Sequence, residues 1–289
     1  CVLLTSRCIL LTHGLDERFR LLRKSRQVVI NVTHGMYFKK MHKLLGADIP
    51  TPQFHFVLST SPLFSPILCE MFALRMSSVV VSNLPRTNIL TSNFDSQYFI
   101  DLRKYFKKIH LWMPTYRKSK TSTDIDTDNL VGDSSFDWEN LNKILRNKSE
   151  LLIIKPHPLA VFNFEQSDYS NIKIMSNDDL LLRGFSLYAF IAHIDVLWTD
   201  YSSVFVDFMV TGKPIIFVML DRAEYEKKRG LTINLEKFNL PGPLIETFND
   251  LIDSLSRDTY EKPYSIQPFA TTSDPIHVTK VFANIIEEN

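Results

Sequence analysis

Short apolar runs alternate with stretches of helical periodicity along most of the chain. "QVVINVT" (27–33) is a β-branched run that predicts a strand. "MYFKKMHKLLG" follows it and predicts a helix closed by Gly46. "FHFVLST" (54–60) predicts the next strand, "SPLFSPILCEMFAL" a helix, and "SVVVSN" (78–83) a third strand. The pattern restarts with the strand "KIHLWMPTY" (108–116), and a Ser-, Thr- and Asp-rich stretch over 117–135 reads as a loop. A helix around 136–147, the strands "ELLIIK" and "NIKIM", a helix around 178–192 and the strand "DVLWT" come next. "DYSS" then opens a further helix that ends at Gly212, and "KPIIFVM" is another strand. Such alternation predicts parallel βαβ units. The expected fold is therefore α/β, with two Rossmann-type, doubly wound lobes over residues 1–108 and 109–289.

Composition narrows the partners. At 289 residues the chain is long enough for two lobes, each with its own core. A formal net charge of +1 gives no basic footprint, which argues against nucleic acid as a partner. The three cysteines, Cys1, Cys8 and Cys69, have no metal-ligand spacing and suit a reduced, cytosolic protein. The first apolar run, "CVLLTSRCILLT", is broken by Arg7 and is too short to span a bilayer. It is read as a truncated or processed boundary, one that could hold a lost strand of the first lobe, without a signal-peptide pattern. No apolar run of eighteen residues occurs elsewhere, so the expected membrane association is peripheral.

Three constellations stand at predicted strand ends, where open α/β sheets bind ligands. "DYSS" (200–203) joins a strand to a helix. Ser202 or Ser203 can cap that helix, and any hydroxyl not so engaged, with the free N–H groups, suits a phosphate. Both readings, capping alone and anion site, stand at this point. In "IIKPHP" (153–158), Lys155 ends a buried strand and His157 lies between two prolines that restrict the backbone. That histidine can donate to a phosphate or sit inertly in a surface turn. In "NVTHGMYFKK" (31–40), Gly35 allows close backbone approach beside His34, and Lys39 and Lys40 follow. His34 is a candidate general base for a hydroxyl nucleophile. The other such pair, His13-Gly14, follows no clear strand and is read as structural.

Taken in order, "THGMYFKK", "LPRTNIL", "WMPTYRK", "KPHP", "TDYSSVFVDF" and "KKRGLTINLEKFNLPGPL" resemble the CDP-glycerol glycerophosphotransferase family. This family comprises teichoic acid polymerases and primases, and capsule polyol-phosphate transferases carry the same domain. The resemblance covers about residues 28 to 250. It implies a GT-B-like pair of lobes, acceptor-side first and donor-nucleotide-side second, with the active site in the cleft between them. It implies transfer of glycerol or ribitol phosphate from a CDP-linked donor to a hydroxyl of a lipid-linked cell-wall or capsule polymer, releasing CMP. Such an enzyme is expected to be cytoplasmic and peripheral at the inner face of the membrane. By match, His34 and His157 are the catalytic histidines. Ser202, Ser203, Lys155, Arg117 and Arg86 would bind the donor phosphates, with Asp200, Tyr201, Glu236 and Gly242 as neighbours of the nucleotide. No certain cofactor is implied, and a divalent cation stays open because no Asp/Glu cluster marks a metal site. Met36-Tyr37-Phe38 stand where the family usually has Thr-Pro-Leu, so this is a divergent member whose polyol is left open.

Two other readings accompany this one. The same fold could transfer a sugar from a nucleotide donor, or the chain could be a non-catalytic donor-binding or assembly protein. The basic run "ERFRLLRKSRQ" (17–27) is by default a solvated helix face; its sharper reading is a contact with anionic lipid or a polyanionic acceptor.

Overall fold

The computed structural model describes residues 5–13, 27–92, 94–115, 136–157, 169–265, 268–270 and 275–288. Two compact units result, one formed by residues 1–88 and 266–289, the other by residues 89–265.

The first unit is built on a four-stranded, all-parallel sheet in the order β1-β2-β3-β4. Its strands are β1 (Cys8–Leu11), β2 (Val28–Asn31), β3 (Phe56–Ser59) and β4 (Val79–Val81). Helix α1 (Phe64–Phe72) packs Leu68, Met71 and Phe72 with Val29 and Val57 on one face of this sheet. The other face, with Val28 and Ile30, is covered by Val281, Phe282 and Ile285 of the helix Pro275–Glu288. A parallel sheet needs both faces covered, and this second cover explains why residues 266–289 join the first unit. The expected boundary at 108/109 is thus not where the compact units divide.

Sequence expectation and structure also part over 36–46. Met36, Tyr37 and Phe38 are all buried, so three consecutive side chains face inward, which no one-sided surface helix permits. Only a 3₁₀ turn at His42–Leu44 forms there. Strand β1 falls in the opening run, where the sequence leaves a strand of the first lobe open.

The second unit opens with α2 (Gln97–Arg103), whose Phe99 stacks on His193 with ring centroids 4.5 Å apart. Arg103 makes a bidentate pair with Asp195 at 2.9 and 3.0 Å. These contacts place residues before 108 in this unit. Its strands and helices run β5 (Lys108–Trp112), α3 (Trp138–Lys148), β6 (Glu150–Ile154), β7 (Ile172–Ile174), α4 (Asn177–Leu182), α5 (Leu187–Ala192) and β8 (Val196–Thr199). Then come α6 (Val204–Phe208), β9 (Ile215–Val218), α7 (Arg222–Lys228), β10 (Leu244–Ile245) and α8 (Phe248–Ser256). The helix expected over 178–192 is two helices, because Gly184 ends the first and Ser186 caps the second through its bond from Ala189 N–H at 3.2 Å.

All pairings of the six strands are parallel, in the order β10-β9-β8-β5-β6-β7. Numbered within the unit, this is the doubly wound order 3-2-1-4-5-6. Every residue of β6, β8 and β9 is buried, so near-continuous apolar runs replace strand alternation. Two buried polar residues at the amino end are fully paired. Trp198 Nε1–H donates to His110 Nδ1 at 2.9 Å, which leaves the His110 proton on Nε2, 3.0 Å from the Glu150 carboxylate.

At that same end Gly242 closes on β9. A Cβ at Gly242 would lie 1.9 Å from the carbonyl oxygen of Ile215, and its φ is +156°. Gly242→Ala should therefore lower the free energy of unfolding by roughly 2–4 kcal/mol. Chemical denaturation of the two proteins measures it, and an unchanged midpoint would contradict this packing.

Candidate active site

Strand order in the second unit reverses between β5 and β8, and such a switch point leaves a crevice outside the carboxyl ends of the strands. One side chain bridges that crevice. Asp200, directly after β8 and 1% exposed, accepts hydrogen bonds from Thr115 N–H at 3.0 and 2.8 Å and from the Thr115 hydroxyl. Asp200 is therefore an anchor between strand ends, with its oxygens turned to Thr115.

Tyr201 follows and turns into the core. It is fully buried, its hydroxyl donates to Asp221 Oδ1 at 2.8 Å, and its ring stacks on Tyr225 with centroids 3.6 Å apart. Tyr201, expected beside the nucleotide, thus has its side chain held inside the fold. With Asp200 and Tyr201 both held from inside, Ser202 and Ser203 emerge as the partly exposed pair. Neither caps α6 well. Ser202 Oγ is 3.5 Å from Val204 N, the outer limit of a hydrogen bond, and the Ser203 hydroxyl has no partner among the described residues.

Lys155 completes this edge. Its N–H bonds the carbonyl of Trp112 at 2.8 Å, so the end of β6 is level with the end of β5. The side chain is 6% exposed, and among the described residues its ammonium has no hydrogen bond or ion pair. Burial pushes its pKa down. Ile154 packs with Trp112 and Trp198, so strand alternation sends Lys155 to the opposite face. Phe205 of α6 meets Phe217 on that opposite face, with centroids 5.2 Å apart. Lys155 and the serine turn thus share a face, two strand spacings or about 10 Å apart. A cation without a partner, with hydroxyls on the same face, is suited to an anion. His157 stands exposed just beyond it.

Other expected residues lie elsewhere. Gly242 is at the amino end of β9, away from the serine turn, and its role is the close approach described above. Glu236 is exposed on the loop before it, its N–H bonded to Asn234 Oδ1 at 2.8 Å. Arg117, the loop over 117–135 and the basic run up to Arg26 fall outside the described residues. Among the described residues no three or more His, Cys, Asp or Glu side chains converge as a metal site requires.

In the first unit the chemistry gathers after β2. Thr33 has φ +57°, a strained conformation for a β-branched residue, and Gly35 follows at φ +158°. Two groups hold the turn. Asn31 Oδ1 accepts from Thr33 N–H at 2.8 Å, and Arg86 Nη1–H donates to the Thr33 carbonyl at 2.7 Å. Arg86 was expected on the donor phosphates; its guanidinium instead braces this turn. The turn presents His34 with an exposed edge. Its Nδ1 lies 3.2 Å from the Thr12 carbonyl, which can only accept, so the proton of the neutral ring is on Nδ1 and the lone pair on Nε2. Partial burial lowers the pKa of His34; the bond to the Thr12 carbonyl opposes this, and the nearby His13, Arg86 and Lys39 charges lower it further.

The family described as CDP-Glycerol:Poly(glycerophosphate) glycerophosphotransferase matches residues 1–276. This chain belongs to that family. Among the relatives of this glycerophosphotransferase-family chain is the teichoic acid ribitol-phosphate polymerase TarL of Staphylococcus aureus. It is 27% identical over 205 residues, which span 68% of this chain and 34% of that protein. The teichoic acid glycerol-phosphate transferase of the same organism is 25% identical over 259 residues, spanning 82% and 64%. The chain thus covers less than two thirds of the length of these curated relatives. In structure it is similar to the wall teichoic acid polymerase TagF, with TM-score 0.65 and 19% identity over 92% of this chain and 69% of that one. A TagF variant soaked with CDPG gives 0.71 and 18% over 98% and 73%. A UDP-GlcNAc 2-epimerase of Methanocaldococcus jannaschii gives 0.56 and 10% over 96% and 77%. These likenesses establish the GT-B-like fold.

Sequence reasoning missed Thr115, Asn31 and His13. Thr115 and Asn31 act through bonds to residues distant or two positions away, which leave no pattern. His13 did carry a signal, since His13-Gly14 repeats His34-Gly35, but the four-residue β1 before it makes no clear strand pattern.

Lys155→Met should leave the unfolding midpoint unchanged or raise it, because a partly desolvated ammonium without a partner gives way to an apolar chain of similar length. It should weaken binding of inorganic pyrophosphate by about tenfold or more. Thermal unfolding and titration calorimetry read both; a marked fall in the midpoint would mean that the ammonium has a stabilising partner.

Proposed function

We propose that this chain transfers a polyol phosphate, glycerol or ribitol phosphate, from a CDP-linked donor to a hydroxyl of a lipid-linked cell-wall polymer, releasing CMP. The observation that carries the reading is the Lys155 ammonium, without a partner among the described residues, on the same sheet face as the Ser202–Ser203 turn, at the switch point of a glycerophosphotransferase-family chain. The relatives' names, which include both glycerol- and ribitol-phosphate enzymes, support the substrate class.

In this reading the second unit holds the donor. Lys155 and the hydroxyls of Ser202 and Ser203 bind the pyrophosphate, and His157 donates to it from the end of β6. The first unit supplies the base. His34 Nε2 takes the proton of the acceptor hydroxyl as the oxygen attacks the phosphorus that bears the polyol. The new O–P bond forms, the bond from that phosphorus to the bridging oxygen breaks, and CMP leaves with the electron pair. Lys155 and the serines stabilise the charge that grows on the leaving phosphate, which is where most of the catalysis of phosphoryl transfer resides. A lipid-linked acceptor places the chain at the cytoplasmic face of the membrane as a peripheral protein. Among the described residues no helix is long and apolar enough to cross a membrane.

CMP release from CDP-glycerol and CDP-ribitol with a lipid-linked acceptor tests the proposal. His34→Ala should slow release by about 10²–10⁴-fold, the usual worth of a general base, and His157→Ala should slow it too. Because the pKa of His34 is depressed, its neutral form persists as pH falls through the ordinary histidine value of 6.5. The midpoint of the acid limb should accordingly lie below pH 6.5. Absence of release from either donor by folded protein that binds CDP would reject the reaction, and full activity in His34→Ala would reject the base.

A further inference from the structure

His13 has no part in the reaction as described, yet its ring lies flat on His34. The centroids are 4.3 Å apart and the planes 4° from parallel. One residue holds both rings. The Thr12 carbonyl is 3.2 Å from His34 Nδ1, and the Thr12 hydroxyl is 2.9 Å from His13 Nδ1. Register explains the meeting. Leu11 at the end of β1 pairs with Asn31 at the end of β2, and Val32 N–H bonds the Leu11 carbonyl at 2.7 Å. Two residues beyond the one strand and three beyond the other, the two histidines emerge side by side. The second departs through the strained Thr33 turn that Asn31 and Arg86 brace. Tyr37 closes another side of His34, edge on, with centroids 5.7 Å apart.

We propose that His13 is a positioning residue for the reaction, whose stacked ring fixes the orientation of His34 and keeps it uncharged and ready to accept a proton. The proposal rests on the reading of His34 as the base. Stacking does this in two ways. Ring contact removes water from one face of His34, which disfavours the imidazolium. A proton on His13 would also set a positive charge against the His34 ring and oppose a second one there. The same ring is faced by Lys39 from the segment after β2 and by Arg86 from the turn after β4, both cationic, and by Tyr37. No described carboxylate figures among the groups that act on it. Every described charge around His34 therefore works in one direction, and His13 lies against the ring itself.

The test is a histidine-selective NMR titration of His34 in the full chain, beside the pH profile of CMP release, for the wild type, His13→Ala and His13→Phe. In His13→Ala the His34 midpoint should rise by roughly half a pH unit or more. His13→Phe, which keeps the stack and removes the charge, should give a smaller rise. The acid limb of kcat/KM should move up by the same amounts, with the KM for the CDP-linked donor unchanged. An unmoved His34 midpoint in both variants overturns the coupling, whatever the protein's turnover. A midpoint that moves while the acid limb stays overturns the role of the pair in the reaction, and with it His34 as the base. Because His13 is exposed, both variants are expected to fold, and the His34 signal itself reports whether they have.

Discussion

The buried carboxylate of Asp200 is the interaction on which the carboxyl edge of the second unit's sheet depends. Where the strand order reverses, β5 and β8 lie side by side but send their connections to opposite faces, so the chain must separate just beyond them. Three hydrogen bonds from Thr115 hold the two ends together there. A carboxylate taken out of water needs such compensation, and backbone N–H groups are strong donors to it. The consequence is local and directional. With Asp200 facing Thr115 and Tyr201 clasped by Asp221 and Tyr225, the next two residues have only the open edge to occupy. The exposure of Ser202 and Ser203 follows from the burial of their neighbours.

The first unit meets the same demand with strain rather than charge. A histidine must leave the end of β2 pointing away from the core, although Met36, Tyr37 and Phe38 directly behind it are buried. A left-handed threonine makes the required change of direction in one step, at a conformational expense of about 1–3 kcal/mol. Asn31 and Arg86 tie both sides of Thr33, its N–H and its carbonyl, which is what such a conformation needs to persist. Strain held this firmly leaves His34 little rotational freedom from its backbone, and the ring stack on His13 restricts what remains.

What the sequence made legible was whatever depends on burial of a whole strand. "ELLII", "VLWT" and "IIFV" are read correctly because a central parallel strand must be apolar on both faces. Patterns that depend on a distant cover were opaque. The helix Pro275–Glu288 belongs to the first unit only because that sheet has a bare face, a fact that no local window contains. The Ser-Ser pair could be located but not its state, since a cap and an anion site share one composition; in the structure neither hydroxyl makes a good cap. Tyr201 looked like part of the motif because of its neighbours, and its stack on Tyr225, far along the chain, makes it core.

The two ends of the second unit's sheet bury charged and polar groups in opposite ways. At the amino end His110 uses both ring nitrogens, Glu150 accepts from it, and Lys108 lies within reach of Glu150, Asp258 and Glu261. Nothing in that set is left for a ligand, and its contribution is to the fold. At the carboxyl end, a few residues along the same strands, Lys155 and Ser203 are without partners among the described residues. Trp112 Nε1 and Thr199 Oγ1, at the carboxyl ends of β5 and β8, are likewise buried without a partner among the described residues. The sheet therefore closes its polar groups at the amino end and leaves several of them open at the carboxyl end, the end at which open α/β sheets bind ligands.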